Sequence, residues 1–313
     1  MFKSLRPTRR RSKKRNGHKA TKATKALIKS GLKLPTWLLV CILMFASTAY
    51  FIERQIREQY AYAGLPIPQN SLQVHTWHRV LRNPGFMVGY SDARMNPLWV
   101  TYQLNEGTLG SIGPRPSTFS TDWRTIIRVA HQDYTGSGYD RGHLAPNYAM
   151  ARVHGREAQL KSFLMTNISP QTPELNRQVW QRIEAAAMDH FIPIKQNIWV
   201  ITGPIFSGFL LGPDVERLNS SWVEIPDAFY KIFIAPATTE RPLSVLAFIV
   251  PQNVKGNEPL DQFLVTVREI EDKTGLNFLH RLPEDLQERV ETTIQPEPWQ
   301  LDKVKNQRGR YSD

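Results

Sequence analysis

A single cysteine, Cys41, stands among 313 residues. That scarcity excludes an intrachain disulfide and any zinc or iron–sulfur site built on several cysteines. Cys41 lies inside an apolar run, where a thiol acts as a small hydrophobe. Acids are absent from the first 33 positions, which hold 13 of the 40 Lys and Arg. The other 27 basic residues face all 28 acids, a net charge of −1 over 34–313. The formal charge of +12 therefore belongs to the leading segment. The rest of the chain has no overall basic field, so a polyanion must be met by a local site. There is no Gly-x-Ser-x-Gly elbow, which leaves a serine hydrolase little support. The stretch GSGYDRG is not a dinucleotide-binding fingerprint, and Gly107, Gly110 and Gly113 precede no apolar helix, so they read as turn glycines. His75 and His78 could share a helix face, but no further metal ligands lie near them in sequence. Hydrophobic residues at 41% and charged residues at 22% exclude wholesale disorder, collagen and a polytopic membrane protein.

The present residues divide the chain into zones. Residues 1–33 are rich in Lys, Arg, Thr and Ser, cannot bury a core, and read as a disordered basic tail. Leu34 to Ile52 is an uncharged run of 19 residues, about 28 Å as a helix, close to a bilayer's hydrocarbon thickness. Trp37 and Tyr50 suit its two interfaces, and the basic charge ahead of it places the N-terminus in the cytoplasm. The run is read as an uncleaved transmembrane anchor, because it exceeds the apolar core of a typical signal peptide. A cleaved signal peptide and a mitochondrial import segment are the alternatives. Anionic lipid head groups are the expected partner of the basic tail. Residues 53–70 read as a polar linker, 71–295 as one mixed domain, and 296–313 as a loose polar tail.

Within the domain, Trp99–Leu104, Ile198–Thr202, Phe229–Ile234 and Leu243–Pro251 read as strands. A helix is expected over about 173–190, with Thr172 as N-cap and Pro173 in its first turn. A second is expected over about 260–273, stopped by Gly275. Strands and helices do not alternate regularly, so the expected fold class is α+β.

Chemistry concentrates at Asp140-Arg141-Gly142-His143, which packs an acid, a base and an imidazole beside a turn marked by Gly136 and Gly138. Some 24 residues later, TNISPQ at 166–171 leads into the first helix. There Leu175, Val179, Ile183 and Ala186 make an apolar stripe, with Asn176, Trp180 and Glu184 one residue over. Such a helix can present Asn176 and Glu184 to a neighbouring hairpin. Taken alone, an exposed Asn176 and a Glu184 paired with a nearby Arg remain the simpler account.

These residues closely resemble the sugar-non-specific DNA/RNA endonucleases, the ββα-metal nucleases that include the endonuclease G-like enzymes. RPSTFSTD at 115–122, ITGPIF at 201–206, IPDAFYKIF at 225–233 and AFIVPQ at 247–252 extend the resemblance over about 70–290. It implies a ββα-metal nuclease fold with a mixed or antiparallel central sheet and flanking helices, here behind one transmembrane helix. It implies His143 as general base and Asn176 as the single direct protein ligand of Mg²⁺ or Mn²⁺. Glu184 and Asp140 would hold the ion's water shell or orient neighbours. Arg141 and Arg115 would contact phosphate oxygens, and Asn167 would position the hairpin or a metal water.

That chemistry is self-consistent. An imidazole is a suitable base near neutral pH. A hard divalent ion polarises phosphoryl oxygen, and Mg²⁺ needs few protein ligands. Arginine forks match phosphate bidentately. No base-reading element is evident, so hydrolysis of DNA, RNA or both should show little sequence preference. The expected location is a single-pass membrane protein with its catalytic domain periplasmic or otherwise extracytoplasmic; the mitochondrial inner membrane is the alternative. The competing readings are a membrane-tethered nucleic-acid-binding or uptake component without turnover, and a phosphodiesterase for nucleotides or lipid head groups. Whether the chain forms a homodimer is left open.

Overall fold

The computed structural model describes residues 35–106, 113–208, 212, 215–218 and 221–309. The basic segment 1–33 and the glycines at 107 and 110 lie outside the described residues. The chain divides into two compact units, Met1–Glu53 and Arg54–Asp313. In the first, an exposed helix begins at Thr36; helix α1 spans Thr36–Glu58, so it runs past the 34–52 segment expected from the apolar run. Thr36–Arg57 is long and apolar enough to cross a membrane, by length and composition.

The second unit is built on a seven-stranded sheet. Its strands are β2 (Arg79–Asn83), β3 (Phe86–Ser91), β4 (Asn96–Asn105), β7 (Asn197–Ile205), β8 (Ala228–Ala235), β9 (Ser244–Pro251) and β10 (Leu264–Val265). Their spatial order is β10-β9-β8-β7-β4-β3-β2, with every pair antiparallel. The four strands expected from sequence are β4, β7, β8 and β9; the first three run slightly past the apolar run, and β9 starts one residue later than expected, at Ser244. Strands β2 and β3 carry Arg79, Arg82 and Gly89 and were not apparent. Gly89 is required by a close approach: a Cβ there would sit 2.2 Å from the Trp99 ring.

Both faces of this sheet are covered, so β8 is buried along its whole length. Side chains alternate across a strand. Phe229 and Phe233 enter one core with Val100, Tyr102, Leu175, Val179, Trp180 and Ile183, while Tyr230, Ile232 and Ile234 enter a second with Trp99, Ile201, Ile270 and Phe278. A small antiparallel pair, β1 (Ile67–Pro68) with β11 (Leu276–Asn277), lies outside the main sheet.

Three expectations change. The region 53–70 is not merely a polar linker: Ala61 is buried, Tyr60, Tyr62 and Leu65 pack on the second core, and β1 is paired. The second helix is shorter than expected. Residues 260–265 form a 3₁₀ turn and an edge strand, and helix α4 spans Val267–Thr274. Thr266 caps it by accepting from the Glu269 N–H, and Gly275 ends it in the left-handed conformation. Nor is 296–309 a loose tail. Trp299 is fully buried against Phe191 and Phe233, and Leu301 is buried beside it. A tail rich in polar residues hides one large apolar anchor. Of the two histidines noted in the sequence, His78 has a structural use, since the Trp99 indole N–H meets its Nε2 at 3.1 Å. No cluster of three or more His, Cys, Asp or Glu suited to a metal occurs among the described residues.

Candidate active site

The site is assembled from a hairpin and the helix that follows it. Strand β5 (Asp140–His143) pairs antiparallel with β6 (Ile168–Gln171), with Gly142 opposite Ser169. Gly142 is needed here because an added Cβ would lie 2.1 Å from the Gln171 side-chain oxygen. Helix α2 spans Gly155–Ser162, and after β6 helical turns run through 173–195 as helix α3. The Thr172 carbonyl accepts from the Asn176 N–H at 2.9 Å, which starts the helix. The Thr172 hydroxyl donates to the Gln252 carbonyl at 2.7 Å, tying the helix start to the end of β9 in place of the expected side-chain cap. Wide π-type turns at Leu175–Trp180 and Ala187–Phe191 flank an α segment at Gln181–Ala186. Extra residues in such turns rotate the faces that follow. Trp180 consequently belongs to the buried core and not to a polar stripe, while Asn176 and Glu184 remain half-buried.

A cavity of about 500 Å³ opens over this helix, lined by Arg115, Asp140, Arg141, His143, Asn176 and Glu184 among others. Six of the seven residues singled out in the sequence therefore meet in one place. The seventh, Asn167, is fully buried outside the lining. Its side-chain oxygen accepts from the Ala145 N–H at 2.9 Å, and its amide donates to the carbonyls of Ala145 and Ser162 at 3.0 and 2.9 Å. It clasps the chain just after His143.

His143 is held by aromatic rings. Phe163 meets it edge-on with centroids 4.8 Å apart, and Phe119 lies 5.2 Å away. Its Nε2 is buried without a hydrogen-bond partner. Burial, seconded by the positive charge of Arg115, drives the imidazole pKa down to about 3. The ring is therefore neutral, with a proton acceptor available.

Asp140 is held by the helix. Its Oδ2 accepts from Asn176 Nδ2 at 2.9 Å and Arg177 Nε at 2.8 Å, and its Oδ1 from Arg177 Nη2 at 2.7 Å. Burial pushes its pKa up, but the hydrogen bonds from Arg177 and Asn176 and the nearby arginine charges outweigh that, and the carboxyl stays below its ordinary range. Arg141 donates from Nε and Nη2 to the His131 carbonyl at 3.0 and 2.7 Å, which fixes it against the loop ahead of the hairpin. Glu184 Oε1 lies 3.4 Å from Lys231 Nζ.

Lys231, Arg177, Phe119 and Phe163 were not anticipated. For Lys231 a signal existed: it is the one charged residue in the apolar strand AFYKIFIA. The two phenylalanines had none, because a ring's role beside His143 depends on tertiary contacts.

Comparison with known proteins agrees with this geometry. Residues 33–285 match the family model of the DNA/RNA non-specific endonucleases, and the chain belongs to that family. It is 29% identical over 220 residues to a nuclease of Nostoc sp., covering 67% of this chain and 76% of that one. It is 31% identical over 209 residues to the mitochondrial endonuclease G of Bos taurus, covering 62% of this chain and 67% of that one. Against the mitochondrial nuclease EXOG of Xenopus laevis the identity is 29% over 208 residues, and the match spans 57% of that protein's length. The fold is shared with EndoG as solved in its complex with EndoGI, with TM-score 0.61 at 23% identity, covering 76% of this chain and 93% of that one.

Proposed function

We propose that the chain is a metal-dependent endonuclease that hydrolyses DNA, RNA or both with little sequence preference, using His143 as general base. The observation that carries this reading is the neutral His143 with an unpartnered Nε2 in a cavity shared with Asn176, Asp140 and Glu184. Solvated surface histidines have no reason to be dehydrated beside three oxygen-bearing side chains and two arginines.

The donors fit a hard divalent ion. Asn176 commits its amide nitrogen to Asp140, which leaves Oδ1, a neutral oxygen, as its donor atom. With no dense ligand cluster, the site suits Mg²⁺ or Mn²⁺ carrying most of its own water, with Asn176 as ligand and Glu184 and Asp140 beside it. When bound, such an ion polarises the phosphoryl group and offsets charge on the departing oxygen.

The chain's own residues supply the rest. His143 Nε2 takes the proton of the attacking water as its oxygen bonds to phosphorus and the bond to the departing ester oxygen breaks, that oxygen leaving with the electron pair. Phe119 and Phe163 fix the ring and exclude other water. Arg115 lies close enough to lower the pKa of His143, so it stands where a phosphate oxygen would enter. Asp140 holds the Asn176 amide in one orientation, and Asn167 holds the backbone that follows His143. The arginines of the lining match phosphate oxygens, so backbone contacts dominate and sequence preference is slight.

The full chain in detergent, incubated with supercoiled plasmid and Mg²⁺, should produce nicked and then linear DNA, and EDTA should abolish cutting. Undiminished cutting in EDTA would remove the metal from the reaction. We further propose that α1 anchors the protein in a membrane with the catalytic unit outside the cytoplasm; in a mitochondrion the equivalent is the inner membrane. A reporter fused after Asp313 should be active only on the far side of that membrane, and cytoplasmic activity would reverse the orientation.

A further inference from the structure

A charged side chain lies deep beneath the cavity with no place in the mechanism so far. Lys231 is on β8, between Thr202 of β7 and Phe248 of β9 in the sheet register. By alternation it points to the same side as Phe229 and Phe233, into the helix-covered core. It is completely buried, yet it lines the cavity. Its Nζ is 4.1 Å from the Trp180 ring centroid and 3.4 Å from Glu184 Oε1. Trp180 and Glu184 are on α3, the helix that also carries Asn176.

An ammonium in this position is expensive. Removing it from water costs several kcal/mol, and an ion pair repays that only with good geometry. A methionine would fill the space on this sheet face without the desolvation cost. Stability therefore does not explain a lysine here. Position does: the charge is aimed at Glu184 at the cavity wall, 3.4 Å away, on the helix that also carries Asn176. Trp180 supports the amine from below, since a cation over an indole face is favourable when desolvated.

We propose that Lys231 is a positioning residue for the reaction, acting through Glu184. The pair Lys231–Glu184, braced by Trp180, fixes the Glu184 carboxylate at the wall of the cavity. Glu184 then presents a preorganised acceptor to water at the reacting centre. Lys231 does not touch substrate. This inference rests on the nuclease reading above and adds to it the part of the machinery that lies behind the visible site.

The test is a double-mutant cycle on the full chain, following plasmid cleavage at saturating Mg²⁺ and thermal unfolding of every variant. Lys231→Met should lower kcat about tenfold, with KM nearly unchanged, because the interaction is realised at the reacting centre and not in binding. In a Glu184→Gln background the same substitution should cost almost nothing further. Lys231→Arg should restore part of the rate, since it keeps the charge. Lys231→Gln, a smaller neutral side chain, makes the same prediction if the methionine variant does not fold. Equal losses of rate in both backgrounds, or an unchanged kcat in folded Lys231→Met, would overturn the proposal. A wild-type chain that cuts no plasmid would instead overturn the nuclease reading, so the two failures are separable.

Discussion

Replacing His143 by alanine should reduce kcat by roughly 10²–10⁴-fold while leaving nucleic-acid binding nearly intact. That range corresponds to about 3–5 kcal/mol of lost transition-state stabilisation. The size follows from the setting. Nε2 is buried with no hydrogen-bond partner, while Asp140 is held by Arg177 and Asn176 and Arg141 by the His131 carbonyl. Removing the imidazole leaves a void between Phe119 and Phe163. The pH profile adds a sharper criterion. A pKa lowered to about 3 leaves the proton-accepting form in place as pH falls through the ordinary histidine range. The acid limb of kcat/KM, which reports the free enzyme, should therefore not be centred near 6.5. A bound phosphodiester brings negative charge next to the ring, favours imidazolium, and raises the pKa that governs kcat above the one governing kcat/KM. Equal pKa values in the two profiles, or a His143→Ala chain that cuts at the wild-type rate, would eliminate the assignment.

Asn176→Ala should act on the metal. It deletes the amide oxygen offered to the ion and the amide hydrogen bond that restrains Asp140. Loss of outer partners alone weakens metal affinity by about 10–100-fold, and loss of a direct ligand should cost at least that. The half-activating Mg²⁺ concentration should rise accordingly, with kcat largely recovered at high Mg²⁺. Asp140 keeps its two bonds from Arg177, so the hairpin should stay folded and thermal unfolding should shift little. An unchanged metal titration would take Asn176 out of the ligand set.

How much of this could be read from the residues alone varies with the physics involved. The four central strands were legible because apolar runs such as FYKIFI and VLAFIV are flanked by turn formers. Strand β2 was not, because a partly exposed edge strand with arginines has no such run. Helix α3 was legible by its apolar stripe. Its π turns were not, and they change which side Trp180 faces. The DRGH tetrad stood out by its chemistry, whereas Asn176 and Glu184 read as ordinary helix residues until the family resemblance singled them out. Lys231 and the phenylalanines around His143 depend on strands and loops brought together across the sheet, and spacing carries no information about that.

The buried segment 296–309 bears on how firmly the candidate site is held. Arg182, in the middle of α3, donates to the carbonyls of Gln307, Lys305, Glu258 and Gly256. The first of these partners is 125 positions away in sequence. A chain cut after 295 keeps every side chain of the candidate site but lacks Trp299 and the Gln307 and Lys305 carbonyls that grip the helix. The rigidity of the site is thus set in part by a segment that contributes nothing to its lining.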